Sequence, residues 1–227
     1  MKKLFFVSLG PGDYELLTIK ALKALQKSEV ICIPTKSKGS FKRSLAYLII
    51  EDIKRDFNLK AKLYPVYVPM KFNPKDWERE SEEILGCFEN FDTVSFVTLG
   101  DAAIYSTIYY LADFIKEKEP EIYENLEVIP GISSFSLASA KIKKPLCLGE
   151  SALLITPFSN INADKTVVYM RGERGEDTSF IKESGEFYTF ERLSLKDEKI
   201  ISKKVDKIEH YMTLLIDFFN PNKKTKK

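Results

Sequence analysis

The chain has 227 residues, of which 44% are hydrophobic and 30% charged, which is the composition of a globular protein long enough to bury a substantial core. The 35 Lys and Arg residues nearly balance the 33 Asp and Glu residues, so the net charge of +2 provides no strong field that would attract nucleic acid. The single histidine, His210, argues against a zinc site and against a His-based catalytic triad, and no protein-bound metal is expected.

Several features predict a cytoplasmic protein. The cysteines Cys32, Cys87 and Cys147 are widely separated in apolar surroundings, which predicts buried free thiols in a reducing compartment. The apolar run after Met1 is short and leads directly into a glycine turn, unlike a signal peptide. No run approaches the roughly 18 apolar residues of a membrane span, so no membrane association is expected.

Strand and helix patterns alternate in the first half of the chain. The strand patterns cover residues 4–9, 30–34, 62–68, 93–99 and 126–129, and the helix patterns cover residues 18–27, 44–55, 76–88, 108–115 and 134–141. This alternation predicts a parallel sheet that is covered by helices and connected by right-handed crossovers.

The pattern changes after residue 145. Short strand patterns at residues 152–156, 166–170, 187–191, 199–202 and 212–218 are interrupted by one helix pattern at 177–184. Their close spacing predicts a mixed or antiparallel sheet. We therefore expect two α/β domains, residues 1–120 and 121–227, with the charged segment 116–120 as the hinge and the active cleft between them.

Three glycine turns each follow a strand pattern and precede a helix pattern. They comprise residues 10–13, 100–105 and 130–134. In an open parallel sheet, ligands bind beyond the carboxyl ends of the strands. Glycine also lets backbone N–H groups approach a ligand without an intervening Cβ. The three turns are therefore predicted to converge on one crevice.

Neither of the common nucleotide-binding fingerprints is complete. Glu15 stands where a dinucleotide-binding loop requires its third glycine, and no P-loop sequence occurs. Taken singly, each turn could be only a tight connection, and Ser133 and Ser134 could only cap the helix that follows them. The repetition at equivalent places is what indicates a ligand site.

Three segments together resemble the tetrapyrrole (corrin and porphyrin) methylases: residues 7–22, 99–107 and 128–135. The resemblance continues through residues 168–171 and 190–193. Within the family, one branch methylates carbon 20 of precorrin-2 or cobalt-factor II in cobalamin biosynthesis. The sequences of its members are similar to this chain at residues 105–107, 133–135 and 65–70. Ala102 departs from the family, which usually has proline there. Alanine can adopt the same φ, so a looser turn but a working site is expected.

The resemblance implies an S-adenosylmethionine-dependent C-methyltransferase that acts as a homodimer on a tetrapyrrole. It assigns the cofactor contacts to Pro11, Leu99, Gly100, Asp101, Ile104, Ser133, Ser134, Met170 and Leu193. Such a reaction depends mainly on alignment and exclusion of water. Asp13, Asp101, Tyr105 or water could accept the proton that leaves carbon 20. Residues 97–107 are closer to the anaerobic-pathway enzymes and favour the cobalt-containing acceptor, in which cobalt is part of the substrate.

The many carboxylates of such an acceptor predict cationic side chains around the cleft. The substrate-binding candidates are Arg43, Lys36 and Arg171, and further cations at Lys38, Lys42 and Arg174 lie close to them in the sequence. Each of these side chains could instead belong to a solvated face.

Other functions are compatible with the same residues. A methylase of this fold could act on uroporphyrinogen III, on a later precorrin or on a modified histidine of a protein. A protein acceptor would need no ring of cations. A non-catalytic module would bind S-adenosylmethionine without transferring its methyl group.

Overall fold

The computed structural model describes residues 2–69, 73–149, 151–156, 165–170, 172–211 and 213–219. The chain divides into two units, Met1–Ala152 and Leu153–Lys227, which we call unit 1 and unit 2. No helix in these described ranges is both long enough and apolar enough to cross a membrane.

Unit 1 contains the predicted alternation of strands and helices. In chain order its elements are β1 (Lys3–Ser8), α1 (Ile19–Lys27), β2 (Val30–Thr35), α2 (Leu45–Phe57), β3 (Lys62–Tyr67), α3 (Pro74–Gly86), β4 (Thr93–Thr98), α4 (Ile108–Lys118), α5 (Pro120–Glu124), β5 (Leu126–Ile129) and α6 (Ser134–Ile142). The strands form one parallel sheet in the order β3-β2-β4-β1-β5. The predicted parallel, helix-covered sheet is therefore confirmed.

Polar side chains fix the starts of three helices. Thr18 Oγ1 accepts a hydrogen bond from Ala21 N at 3.1 Å before α1, and Ser44 Oγ accepts one from Tyr47 N at 3.2 Å before α2. Asn73 precedes α3, whose first residue is a proline. These caps satisfy backbone N–H groups that lack a partner within the helix, and proline suits the first helical position because its missing N–H is not needed there.

The sheet of unit 1 lies between two apolar layers. Side chains alternate along a strand, so β1 contributes Leu4 and Phe6 to one layer and Phe5 and Val7 to the other. Helices α3 and α4 cover the first layer, and α1 and α2 cover the second. Burial on both faces explains why these strands are nearly continuous apolar runs in the sequence.

The division between the units lies later than the predicted boundary at residue 120. β5 pairs in parallel with β1, from Leu4 opposite Leu126 to Val7 opposite Ile129, so it forms an edge of the first sheet. The charged segment 116–120 is not a linker between the units, because α4 and α5 follow each other with only Glu119 between them. Its charge reflects a solvated helix end, where Lys118 forms ion pairs with two glutamates of α3.

Unit 2 contains the predicted antiparallel sheet. Its strands are β6 (Val167–Tyr169), β7 (Glu186–Glu191), β8 (Lys199–Ile201) and β9 (Thr213–Phe218), in the order β6-β9-β7-β8. A small core of Ile181, Phe187, Ile208 and Leu215 packs against it. The strand predicted at 152–156 is wrong, because those residues are not extended strand and pair with none of the described strands.

The helix predicted at 177–184 is also wrong. Residues 179 and 180 form only a turn there. Asp177 Oδ1 accepts a hydrogen bond from Ser179 N at 2.6 Å, and the buried carboxylate of Asp217 accepts 2.7 Å bonds from the backbone N–H groups of Ser184 and Gly185. Side chains that bind the backbone in this way compete with helical hydrogen bonds.

The cysteines are partly as predicted. Cys32 and Cys87 are buried, with their sulfur atoms 3.6 Å apart, whereas Cys147 is exposed in the segment that follows α6. The prediction of three buried thiols is therefore wrong for Cys147. The cytoplasmic location remains a prediction.

Glu80 on α3 is a buried carboxyl group. Its side chain is 1% exposed, and its Oε2 atom has no hydrogen-bond partner among the described residues. Burial raises the pKa of Glu80 to about 7, the carboxylates of Asp76 and Glu83 add to the effect, and Arg79 opposes it. The charged form of this side chain therefore destabilises the folded protein.

Stability should accordingly fall as the pH rises from about 4.5 to about 7, because the unfolded chain releases this proton at a lower pH than the folded chain does. Glu80→Gln should remove this fall and raise the free energy of unfolding by up to about 3 kcal/mol at pH 8, with little change at pH 4.5. Urea denaturation at the two pH values measures this difference. The exposed Glu124→Gln on α5 is the control, and equal effects of the two substitutions at pH 8 would contradict the prediction.

Candidate functional site

The three glycine turns meet at the carboxyl ends of β4, β1 and β5, which are adjacent in the sheet. Gly10 N donates to Gly100 O at 3.1 Å, and Gly100 N donates to Gly10 O at 2.7 Å. Gly131 N donates to Asp101 Oδ1 at 3.3 Å. The predicted convergence of the turns is therefore confirmed.

The glycines of these turns are required for two different reasons. Gly10 and Gly100 have φ values of +74° and +70°, which side chains with a Cβ rarely adopt. Gly131 is required by packing instead, because a Cβ there would lie 2.6 Å from Ser8 Cβ and 2.8 Å from Gly100 O. The three turns can approach each other this closely only with glycine at residue 131.

Ser8 ties the second turn to the sheet. It is buried at the end of β1, and its Oγ accepts a hydrogen bond from Ala102 N at 2.9 Å. Proline, the usual family residue at position 102, has no N–H group and could not make this bond. We expected Ala102 to loosen the turn, but its N–H group is held by the buried Ser8 side chain, which is distant in the sequence.

Asp101 links two of the turns. Its Oδ1 accepts hydrogen bonds from Ala103 N at 3.2 Å and from Gly131 N at 3.3 Å, while its Oδ2 makes none to the described residues. Burial, together with the nearby charge of Asp101, raises the pKa of Tyr109 on α4. Tyr105, in the same turn as Asp101, has a φ of +51°. This backbone conformation is strained for a tyrosine, and such strain is typical of functional sites.

A cavity of about 480 Å³ opens at this edge of the sheet. Eight predicted site residues line it: Pro11, Leu99, Gly100, Asp101, Ile104, Tyr105, Ser133 and Ser134. Gly10 and Gly12 of the predicted first turn line it as well, and the structure adds five residues that were not predicted: Phe135 and, from α2, Leu45, Leu48, Ile49 and Asp52. The three apolar α2 residues were missed because leucines and isoleucines one helical turn apart usually belong to the core.

A second depression of about 660 Å³ adjoins this cavity. It is lined by residues 40–45, 47 and 48, and Leu45 and Leu48 line both spaces. The predicted substrate-binding residue Arg43 lies here, with a φ of +63°.

The other predicted site residues lie elsewhere. Asp13 does not line the cavity, because its Oδ1 accepts a hydrogen bond from Glu15 N at 3.0 Å and caps a short 3-10 turn. Lys36 is exposed in the loop after β2. Met170 and Leu193 belong to unit 2, where their side chains are exposed. Arg171 lies outside the described residues.

Fold and site together define a class of protein. Unit 1 is a parallel α/β sheet whose cavity lies at the carboxyl edge, between three glycine turns that converge on adjacent strands. The chain matches the tetrapyrrole (corrin/porphyrin) methylases over residues 3–209 and belongs to that family. The resemblance seen in the sequence is confirmed.

Named relatives are similar over most of the chain. Over 216 residues the chain is 32% identical to the probable cobalt-precorrin-2 C(20)-methyltransferase of Methanocaldococcus jannaschii, covering 92% of this chain and 90% of that one. It is 29% identical over 154 residues to the cobalt-precorrin-2 C(20)-methyltransferase of Salmonella typhimurium, covering 67% and 62% of the two chains. A solved structure of a putative cobalamin synthesis related protein (CobF) from Corynebacterium diphtheriae has the same fold, with a TM-score of 0.58, 16% identity and coverage of 95% and 98%.

Proposed function

We propose that this protein transfers a methyl group from S-adenosylmethionine to carbon 20 of precorrin-2 or cobalt-factor II in cobalamin biosynthesis. The observation that carries the proposal is the 32% identity, over nearly the whole chain, to a relative that bears this name. From the sequence resemblance we further infer a cytoplasmic homodimer, and we favour the cobalt-containing acceptor.

The cavity of unit 1 suits this cofactor. Its volume of about 480 Å³ falls within the usual range for small-molecule sites. Leu99 and Ile104 offer apolar surface, and Ser133 and Ser134 offer hydroxyl groups. A Cβ at Gly100 would meet nothing within 4 Å, so there is open space for a ligand beside its Cα, although its N–H and C=O groups are paired with Gly10. When bound, the cofactor supplies a methyl group activated by its positively charged sulfur.

The chain's own residues would have modest chemical roles. Pro11, Leu99, Gly100, Asp101, Ile104, Ser133 and Ser134 would hold the cofactor, and Met170 and Leu193 remain proposed contacts because of the family resemblance alone. These groups would align the reactants and exclude water, which are the main sources of catalysis for such a transfer.

Asp101 is the favoured acceptor of the proton that leaves carbon 20. Its Oδ1 is engaged by two backbone N–H groups, whereas its Oδ2 makes no hydrogen bond to the described residues. Tyr105 also lines the cavity and is the second candidate. Asp13 is the weaker one, because its carboxylate is used in a cap. Arg43, Lys36 and Arg171 are retained as proposed partners of the acceptor carboxylates.

The proposal is tested by anaerobic incubation of the protein with S-adenosylmethionine and, in parallel, precorrin-2, cobalt-factor II and uroporphyrinogen III. Mass spectrometry should show a gain of one methyl group on precorrin-2 or cobalt-factor II and none on uroporphyrinogen III. Methylation of uroporphyrinogen III would assign a different member of the family. Calorimetric binding of S-adenosylhomocysteine without any transfer would indicate a non-catalytic module.

A further inference from the structure

Helix α2 presents an apolar stripe that the core of unit 1 does not use. Its inward face buries residues such as Ile49 and Ile50, but Leu45 and Leu48 are 64% and 58% exposed. These two leucines lie three residues apart, so they stand one above the other on the helix surface. Both line the 480 Å³ cavity together with residues of the three glycine turns.

The residues that line this cavity come from two parts of unit 1, the three glycine turns and helix α2. The turns contribute the hydroxyls of Ser133 and Ser134 and the carboxylate of Asp101, together with apolar side chains such as Leu99. Helix α2 contributes the apolar side chains Leu45, Leu48 and Ile49 and the carboxylate of Asp52. The serine hydroxyls and the Asp101 carboxylate therefore lie on the turns, whereas the two exposed leucines lie on the helix.

The apolar stripe continues into the depression that contains cations. Leu45 and Leu48 also line the second space, together with Lys42 and Arg43. Both cations are exposed, and within the described residues neither forms an ion pair. A flat apolar ring that bears carboxylates at its rim is complementary to this combination.

The segment that carries the cations is fixed in place. Ser44 Oγ donates a hydrogen bond to Pro34 O at 2.7 Å, which ties the start of α2 to the end of β2. Phe41 stacks on Tyr47 with ring centroids 4.5 Å apart. Arg43 is held at a φ of +63°, in the left-handed region that few non-glycine residues occupy.

We propose that α2 forms the binding surface for the tetrapyrrole acceptor. Its macrocycle lies over Leu45 and Leu48, and one of its carboxylates binds Lys42 and Arg43, while the glycine turns hold the cofactor. The inference rests on the proposed function and specifies which part of the cavity takes which reactant. Because the carboxylate contact fixes the rotation of the ring, these side chains also contribute to the choice of the carbon that is methylated.

The experiment measures acceptor and cofactor binding separately. Leu48→Ser and Arg43→Gln should each raise the Kd for cobalt-factor II about tenfold, measured by anaerobic absorbance titration, because they remove apolar contact or a charge-assisted hydrogen bond. The Kd for S-adenosylhomocysteine, measured by calorimetry, should stay within about twofold. Leu48→Met should keep acceptor affinity. Ile19→Ser and Lys54→Gln, which are exposed and line neither space, are the matched controls.

Three results would overturn this inference. The first is unchanged acceptor affinity in both variants. The second is a loss of affinity for S-adenosylhomocysteine as large as the loss for the acceptor, which would place the cofactor on α2. The third is a changed sedimentation coefficient in Leu48→Ser, which would show that a second copy of the chain covers the apolar stripe of α2. If the unaltered protein methylates the acceptor and the variants bind it normally, only this inference fails. If the unaltered protein binds S-adenosylhomocysteine but no tetrapyrrole, the proposed function fails as well.

Discussion

Gly131→Ala is expected to abolish measurable binding of S-adenosylhomocysteine and to lower the free energy of unfolding by about 3 kcal/mol. The added Cβ would lie 2.6 Å from Ser8 Cβ and 2.8 Å from Gly100 O, and neither group is the end of a flexible side chain. Relief requires the third turn to move away from the other two. Gly131 N would then lose its contact with Asp101, and the cavity would widen at its polar side.

Calorimetric titration and urea denaturation measure the two effects of Gly131→Ala. The matched control is Gly86→Ala at the end of α3, where φ is −58° and a Cβ meets nothing within 4 Å. That substitution should leave binding unchanged and stabilise the protein by about 0.5 kcal/mol, because alanine costs less conformational entropy than glycine in a helix. Normal binding and normal stability of Gly131→Ala would show that the turns are not packed as described.

Asp101→Ala should lower kcat/KM more than about a hundredfold. The substitution leaves the N–H groups of Ala103 and Gly131 without their shared acceptor, and it removes the proposed proton acceptor from the cavity. Asp101→Asn separates these roles, because its side-chain oxygen still accepts both hydrogen bonds but cannot take a proton. We expect the asparagine variant to recover cofactor affinity to within about threefold while kcat stays low.

Steady-state kinetics with cofactor titrations distinguish the outcomes for Asp101. Tyr105→Phe is the companion variant, since Tyr105 lines the same cavity and is the other candidate proton acceptor there. Full kcat in Asp101→Asn together with a large loss in Tyr105→Phe would transfer the role to the tyrosine. Full kcat in both variants would leave water as the acceptor.

The fold of unit 1 was predictable because its determinants are local. Nearly continuous apolar strands alternate with capped amphipathic helices, which is the pattern of a parallel sheet buried on both faces. The segment 177–184 in unit 2 was mispredicted because the carboxylate of Asp217, far along the chain, binds the backbone of Ser184 and Gly185. The boundary between the units was misplaced because the pairing of β5 with β1 is not visible in local composition.

The parts of the site that depend on glycine turns could be predicted from the sequence. The parts that depend on contacts between residues far apart in the chain could not. The turns at Gly10, Gly100 and Gly131 are visible as breaks between strand and helix patterns, and the structure brings them together. The bond between Ser8 and Ala102 joins residues 94 positions apart, and no sequence pattern signals it. The exposed leucines of α2 have the same spacing as core residues, so only the fold distinguishes them.

The central claim, methyl transfer to carbon 20, is tested most directly by the position of the new methyl group. The protein should be incubated anaerobically with cobalt-factor II or precorrin-2 and S-adenosylmethionine carrying a ¹³C-labelled methyl group, and the product examined by carbon NMR. We predict one labelled methyl signal coupled to carbon 20. Label at any other ring carbon, or a product without label although the protein binds S-adenosylhomocysteine, would contradict the proposed function.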